Sequence, residues 1–189
     1  MDNNLPKGRT RKIAITGALG AISCLLGLTH WGFIPWFGGV SLTIMHVPVI
    51  IGAVLEGPIV GATIGLIFGI FSMVQAAIAP SGPADVWFTN PLLSILPRLF
   101  IGPLAWLAWI ALQRWQPVGL VLAGVVGSLT NTILVLGMIG LLNLLPWAAI
   151  GPIVIVNGLP EAIVSAVLTL AVVAAYKQIE FGRKRGADL

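Results

Sequence analysis

The stretch Gly57-Pro58-Ile59-Val60-Gly61-Ala62-Thr63-Ile64-Gly65-Leu66-Ile67-Phe68-Gly69 sets glycine at every fourth position of an otherwise apolar run. In a water-soluble helix each such glycine costs about 1 kcal/mol against alanine. In a membrane the balance differs, because lipid gives helices no hydrophobic reason to associate and a flat glycine face lets a second backbone approach closely. The stretch reads as a tightly packed transmembrane helix.

The flanking sequence extends that reading to the whole chain. Of 189 residues, 58% are hydrophobic and 8% charged, and the mean hydropathy is +1.03. Too little polar surface remains to cover a water-facing protein. A membrane β-barrel would alternate apolar and polar positions, whereas the apolar runs here are continuous. The length accommodates about six spans of roughly 20 residues. The expected fold class is an all-α integral membrane protein, a compact bundle of six transmembrane helices. It forms a single membrane domain over residues 1–189: a tail at 1–12, a six-helix bundle at 13–176 and a second tail at 177–189.

Prolines and glycines mark the breaks. The spans run from about Ile13 to Leu28, Leu42 to Leu55, Pro58 to Ala79, Pro91 to Leu112, Val118 to Leu142 and Ala148 to Tyr176. The second is the shortest, and Glu56-Gly57-Pro58 gives a tight turn into the third. Lys7, Arg9, Arg11 and Lys12 precede span one, Arg114 lies between spans four and five, and Lys177, Arg183, Lys184 and Arg185 follow span six. All fall on one side, while the opposite loops carry no Lys or Arg and a single acidic residue, Asp85. Both termini are therefore expected in the cytoplasm. The net charge of +4 is a topology signal; no basic cluster on a folded surface points to nucleic acid. Basic residues before an apolar stretch, with Ala21-Ile22-Ser23-Cys24, resemble a lipoprotein leader, but Ala21 stands where leucine is usual. Cys24 reads as a small core residue.

Function has to come from polar groups inside the membrane, where ionisable side chains are costly and face a bundle interior or wet cavity. Arg98 and Glu161 both lie roughly 10–20 Å below the outer surface at 1.5 Å per residue. Asn131 and Thr130 reach a similar level, and Asn157 sits one turn above Glu161. His46 opens span two and Gln75 closes span three, both toward the outside, and Asn90 and Asp85 lie at the third loop. The outer half thus holds nearly all the hydrogen-bonding groups. A through-pore would be polar along its length; this distribution suits a pocket open on one side. Arg98 and Glu161 either neutralise each other as a structural pair, or Arg98 exchanges partners with an anionic ligand, its planar fork suiting a carboxylate or phosphate.

Aromatic residues crowd the outer loops: Trp31, Phe33, Trp36 and Phe37 in the first, Trp87 and Phe88 near the third. They either anchor the protein at the membrane interface or close over a bound small molecule, which Trp36 and Trp87 would then contact. At the inner end of span one, Ala14 and Ala18, with Gly17 and Ala21, form a small-residue stripe. It serves either packing within the bundle or docking to another membrane protein.

Six short spans with both ends inside, the Ala14/Ala18 element, a long first outer loop and an outward polar pocket resemble the substrate-binding S component of an energy-coupling-factor (ECF) vitamin transporter. Met45-His46-Val47-Pro48-Val49-Ile50-Ile51-Gly52-Ala53, Gly61 to Phe71, Asn90-Pro91-Leu92 with Leu96-Pro97-Arg98, and Thr130-Asn131-Thr132 resemble its pantothenate branch. The resemblance covers essentially the whole chain. It implies high-affinity capture of a small water-soluble vitamin from outside a prokaryotic plasma membrane, through Arg98, Asn131, Glu161, Asn157, Gln75, His46, Asn90, Trp36 and Trp87. It also implies assembly, through Ala14 and Ala18, with a transmembrane coupling protein and two ATP-binding subunits. The chain carries no Walker motif, so ATP would be used by those partners and no cofactor is expected on this chain.

Pantothenate is the first candidate, since its carboxylate suits Arg98 and its amide and hydroxyls suit Asn131, Asn157 and Gln75. Cobalamin is second, and folate or riboflavin would also suit the aromatic loops. An enzyme is not expected: His30 and His46 stand far from any carboxylate pair, and no metal-ligand spacing is present. A stand-alone secondary transporter using Glu161 as ion-coupling group is the alternative, although the inverted repeats such a protein would carry are not visible.

Overall fold

The computed structural model describes residues 7–29, 31–35, 41–80 and 82–178. Trp36, Phe37, Gly38 and Gly39 of the first loop, His30, and Arg183, Lys184 and Arg185 lie outside the described residues. The elements are α1 (Lys7–Leu28), a hairpin of β1 (Phe33–Pro35) and β2 (Ser41–Thr43), α2 (Val47–Glu56) and α3 (Pro58–Ile78). A 3₁₀ segment (Pro83–Thr89), α4 (Pro91–Ser94), α5 (Leu96–Ala111) and α6 (Gln116–Leu141) follow. The last stretch is α7 (Trp147–Ile153), a π-helical turn (Val154–Gly158) and α8 (Leu159–Lys177). Among the described residues five stretches are long and apolar enough to cross a membrane: 8–28, 58–78, 91–111, 116–141 and 147–177.

The region read as span two differs most from expectation. It opens as a strand, Phe33 pairing with Thr43 and Pro35 with Ser41 in antiparallel register, and only ten residues are helical. At 1.5 Å per residue α2 spans about 15 Å, half of a ~30 Å hydrocarbon core. Its burial explains how so short a helix is tolerated: Val47 through Val54 are all buried, as expected of a helix that is apolar all round. Non-helical backbone at membrane depth is tolerated where protein covers it or where it lines a cavity, and β2 does the latter.

Gly57, with φ of +101°, makes the turn from α2 into α3. A Cβ there would meet nothing within 4 Å, so this glycine serves the backbone turn and the other three serve packing. A Cβ on Gly61 would lie 2.8 Å from Cα of Gly102, and one on Gly69 would lie 2.7 Å from the carbonyl oxygen of Ser94. On Gly65 it would fall on the carbonyl of Arg98. The glycine face of α3 is thus laid directly on the backbone of α4 and α5. A similar approach joins α6 to α8, where a Cβ on Gly124 would lie 2.5 Å from Cα of Ala166.

Three contacts fix which ends share a face. Arg11 and Glu56 form an ion pair of 2.8 Å, joining the start of α1 to the end of α2. Gly61 near the start of α3 abuts Gly102 in α5, and Lys177 at the end of α8 lies 4.7 Å from the ring centroid of Trp109 near the end of α5. The beginning of α1 and the end of α8 therefore lie on one face of the bundle. On the opposite face Gln75 donates to the carbonyl of Gly27 at 3.2 Å, tying the ends of α1 and α3 together.

In α8 the usual amphipathic order is inverted. Leu159, Ile163 and Val167 are exposed, while Asn157 in the preceding π turn, Glu161, Ser165 and Thr169 are buried. Both sets step by four residues, so they occupy opposite sides of the helix. Apolar outside and polar inside is the arrangement that lipid favours.

Candidate functional site

The polar faces of α5, α6 and α8 meet at a cavity of about 190 Å³. Arg98 enters it from α5, Asn131 and Thr132 from α6, Asn157 from the π turn, Glu161 from α8 and Thr43 from β2. Phe88, Val135, Leu136 and Ile153 supply its apolar wall. Arg98, Asn131 and Glu161, matched in depth by counting along their spans, and Asn157, one turn above Glu161, are thus brought together.

Local sequence explains how Arg98 is presented. Pro97 has no N–H, so the carbonyl of Leu93 four residues earlier cannot receive its helical hydrogen bond. The Arg98 guanidinium takes that place, Nη1 donating to the Leu93 oxygen. Its central carbon also lies 5.3 Å from the ring centroid of Phe68 and 5.1 Å from that of Phe88. Arg98 is 5% exposed, yet its Nε has no hydrogen-bond partner among the described residues. A buried donor left unmatched is costly, which marks the group as built for something other than self-contained packing.

Glu161 is held differently. Its Oε1 accepts from the backbone N–H of Thr43 at 2.6 Å and from the Thr43 hydroxyl at 3.2 Å, and Oε2 accepts from the Thr132 hydroxyl at 3.2 Å. Arg98 and Glu161 line one cavity without pairing with each other. The carboxylate instead fastens the hairpin to α8. The side-chain oxygens of Asn131 and Asn157 are buried and without partners among the described residues. An unmatched cationic donor and two unmatched amide acceptors therefore face a space with an aliphatic and aromatic wall.

The other residues expected at the site have different surroundings. His46 is fully buried, its Nε2 2.8 Å from the Ser165 hydroxyl, and it does not line the cavity. Gln75 bonds to α1, as described. Asn90 caps α4, its Oδ1 accepting from the N–H of Leu92 at 3.0 Å. Trp87 packs beside the small apolar cluster of Leu93, Val135 and Ile139, and Trp36 is outside the described residues. Thr130 turns its hydroxyl to the carbonyl of Val126, and Thr132, two residues on, takes the place at the cavity.

Thr43 and Thr132 also line the cavity and lie outside the set expected from the sequence. For Thr132 the signal was its step of one residue from Asn131. For Thr43 a signal is absent, because its partner lies 118 positions away and strand pairing in so short a hairpin leaves no periodic pattern. The π turn was foreshadowed by Pro152 and by Asn157-Gly158-Leu159-Pro160, where two prolines interrupt the hydrogen-bond ladder.

Ala14 and Ala18 of α1 are exposed, as are Gly17 and Ala21, and a Cβ on Gly17 would meet nothing within 4 Å. Among the described residues the stripe therefore packs against nothing within the bundle, and α1 is the least covered of the five long apolar stretches.

Across residues 11–173 the chain matches the family described as "ECF transporter, substrate-specific component". It is similar to the pantothenic acid transporter PanT of Lactococcus lactis subsp. cremoris, with 32% identity covering 90% of this chain and 96% of that protein. It is also similar to the pantothenate transporter PanT of Leuconostoc mesenteroides subsp. mesenteroides, with 31% identity covering 70% of this chain and 68% of that one. With its fold, its intramembrane polar cavity and these likenesses taken together, the chain belongs to the family of substrate-specific components of ECF transporters.

Proposed function

We propose that this chain captures pantothenate from outside a bacterial plasma membrane and delivers it, with a coupling protein and two ATP-binding subunits, to the cytoplasm. The observation that carries the reading is the convergence of Arg98, Asn131, Asn157 and Glu161, from separate helical segments, on one cavity of about 190 Å³. Pantothenate carries a carboxylate, an amide, two hydroxyls and a branched aliphatic centre. The carboxylate matches the free donors of Arg98, the hydroxyls and amide match the unmatched oxygens of Asn131 and Asn157, and the aliphatic part matches Val135, Leu136 and Ile153. Sites for drug-sized ligands run to about 300–1,000 Å³, so this volume favours a small vitamin over a corrinoid macrocycle.

In this reading β2 and α2 together form the sixth crossing, and both termini are cytoplasmic. Arg9, Arg11 and Lys12 at the start of α1, Arg114 between α5 and α6 and Lys177 at the end of α8 then obey the positive-inside rule. The cavity, lined by Thr43 of the hairpin and Phe88 of the 3₁₀ segment, is then on the outer side. The exposed Ala14/Ala18 face serves the coupling protein, since small residues let a partner helix come close. ATP hydrolysis falls to the partner subunits.

Mass spectrometry of small molecules released from the detergent-purified protein tests the proposal. Pantothenate should be recovered from the wild type and be absent from Arg98→Ala. Recovery of a different vitamin, or an undiminished pantothenate content in the variant, would overturn it.

A further inference from the structure

Phe68 belongs to the core. It is 4% exposed, it sits on the glycine face of α3, and it does not line the cavity. Its ring centroid nevertheless lies 5.3 Å from the Arg98 guanidinium carbon, matching the 5.1 Å of Phe88, which does line the cavity. Each aromatic face attracts the guanidinium electrostatically, and more strongly out of water. Phe88 is fixed in turn from α4, where the buried hydroxyl of Ser94 donates to its carbonyl.

The route by which Phe68 reaches Arg98 runs through the glycines on either side of it. Gly65 lies one turn before and faces the Arg98 carbonyl, and Gly69 lies one residue after and faces Ser94 and Ile95. With any side chain at these positions α3 would stand further off, and the ring would lose its reach. Leu93, Phe68 and Phe88 each hold the guanidinium from a different element: α4, α3 and the 3₁₀ segment.

We infer that Phe68 is a positioning residue for anion recognition: without touching ligand, it holds the Arg98 guanidinium at the cavity wall and so sets how strongly a carboxylate is preferred over an uncharged group. The inference rests on the pantothenate reading above. A guanidinium free to rotate must be immobilised on each binding event, whereas one already fixed presents its Nε and remaining N–H groups in the geometry a carboxylate needs.

The test measures affinity of the purified full-length protein for two probes, pantothenate and panthenol, the analogue in which a primary alcohol replaces the carboxylate. The wild type should prefer pantothenate. Phe68→Met, which keeps apolar volume but has no aromatic face, should weaken pantothenate binding about tenfold and leave panthenol binding unchanged, with Phe68→Leu giving the same pattern. Phe68→Tyr, which keeps the face, should restore the preference. Equal losses for both probes would assign Phe68 a structural role only, and an undiminished preference in Phe68→Met and Phe68→Leu would likewise overturn the inference. A wild type that binds neither probe, or both equally, would overturn the pantothenate reading itself.

Discussion

Replacing Gly65 with alanine probes the feature on which both fold and site depend. The added methyl would fall on the Arg98 carbonyl, with the carbonyl carbon at 2.9 Å, and a backbone group inside a helix cannot swing aside. Overlap with a backbone carbonyl belongs in the upper part of the range typical of overpacking, about 2–3 kcal/mol, offset by the ~1 kcal/mol that alanine gains over glycine in a helix. The net is a destabilisation of about 1–2 kcal/mol. For a chain of this size each kcal/mol shifts the midpoint by about 2–4 °C, so Tm in detergent should fall by about 2–8 °C. Gly137→Ala on α6 is the control, since a Cβ there would meet nothing within 4 Å; its Tm should hold or rise. A Gly65→Ala protein that melts at or above the wild type, or a control that falls as far, would refute the claim that the glycine face exists for backbone contact.

Two further outcomes follow from other parts of the structure. Glu161→Ala removes the acceptor of three hydrogen bonds, two of them from Thr43; bonds to a charged group contribute about 1.5–3 kcal/mol each, so hydrogen exchange at the Thr43 amide should quicken by about tenfold or more, and unchanged exchange would show that the hairpin is held by something else. Ala14→Trp on the exposed face of α1 should leave pantothenate binding intact while preventing assembly with the coupling protein, as read by co-purification; retained assembly would remove the docking role from this face.

How far the sequence could be read depended on whether one helix or several decided the answer. The four-residue step of Gly61, Gly65 and Gly69 is a property of one helix, and it specified a packing face correctly. Depth along a span is also local, so counting from the span ends placed Arg98, Asn131 and Glu161 at one level and Asn157 one turn above. Rotation about the helix axis is less accessible, because a span that is apolar nearly all round gives little sign of which side faces inward. That is why Thr130 and Thr132 could not be told apart, although they differ by 200° around α6 at 100° per residue. His46, Gln75 and Asn90 lie at the end of the bundle opposite the start of α1, but whether a polar side chain faces the cavity or bonds to Ser165, Gly27 or Leu92 depends on its neighbours. The same holds for Glu161, whose ties to β2 depend on a hairpin that an aromatic, proline-containing loop did not announce.

The glycine face and the site are one construction. Without side chains at Gly65 and Gly69, α3 lies against α4 and α5 where Pro97 has freed the Leu93 carbonyl, and the guanidinium of Arg98 is held where these elements meet. A motif that would weaken a soluble helix thereby sets the position of the principal charge in the cavity.

Calorimetric titration of pantothenate into the purified protein, wild type beside Arg98→Ala, tests this most directly. Saturable binding at one vitamin per chain is expected for the wild type. Loss of charge-assisted bonds of about 1.5–3 kcal/mol each should weaken the variant by about a hundredfold or more. Equal affinity in the two proteins, or a wild type that takes up no pantothenate, would contradict it.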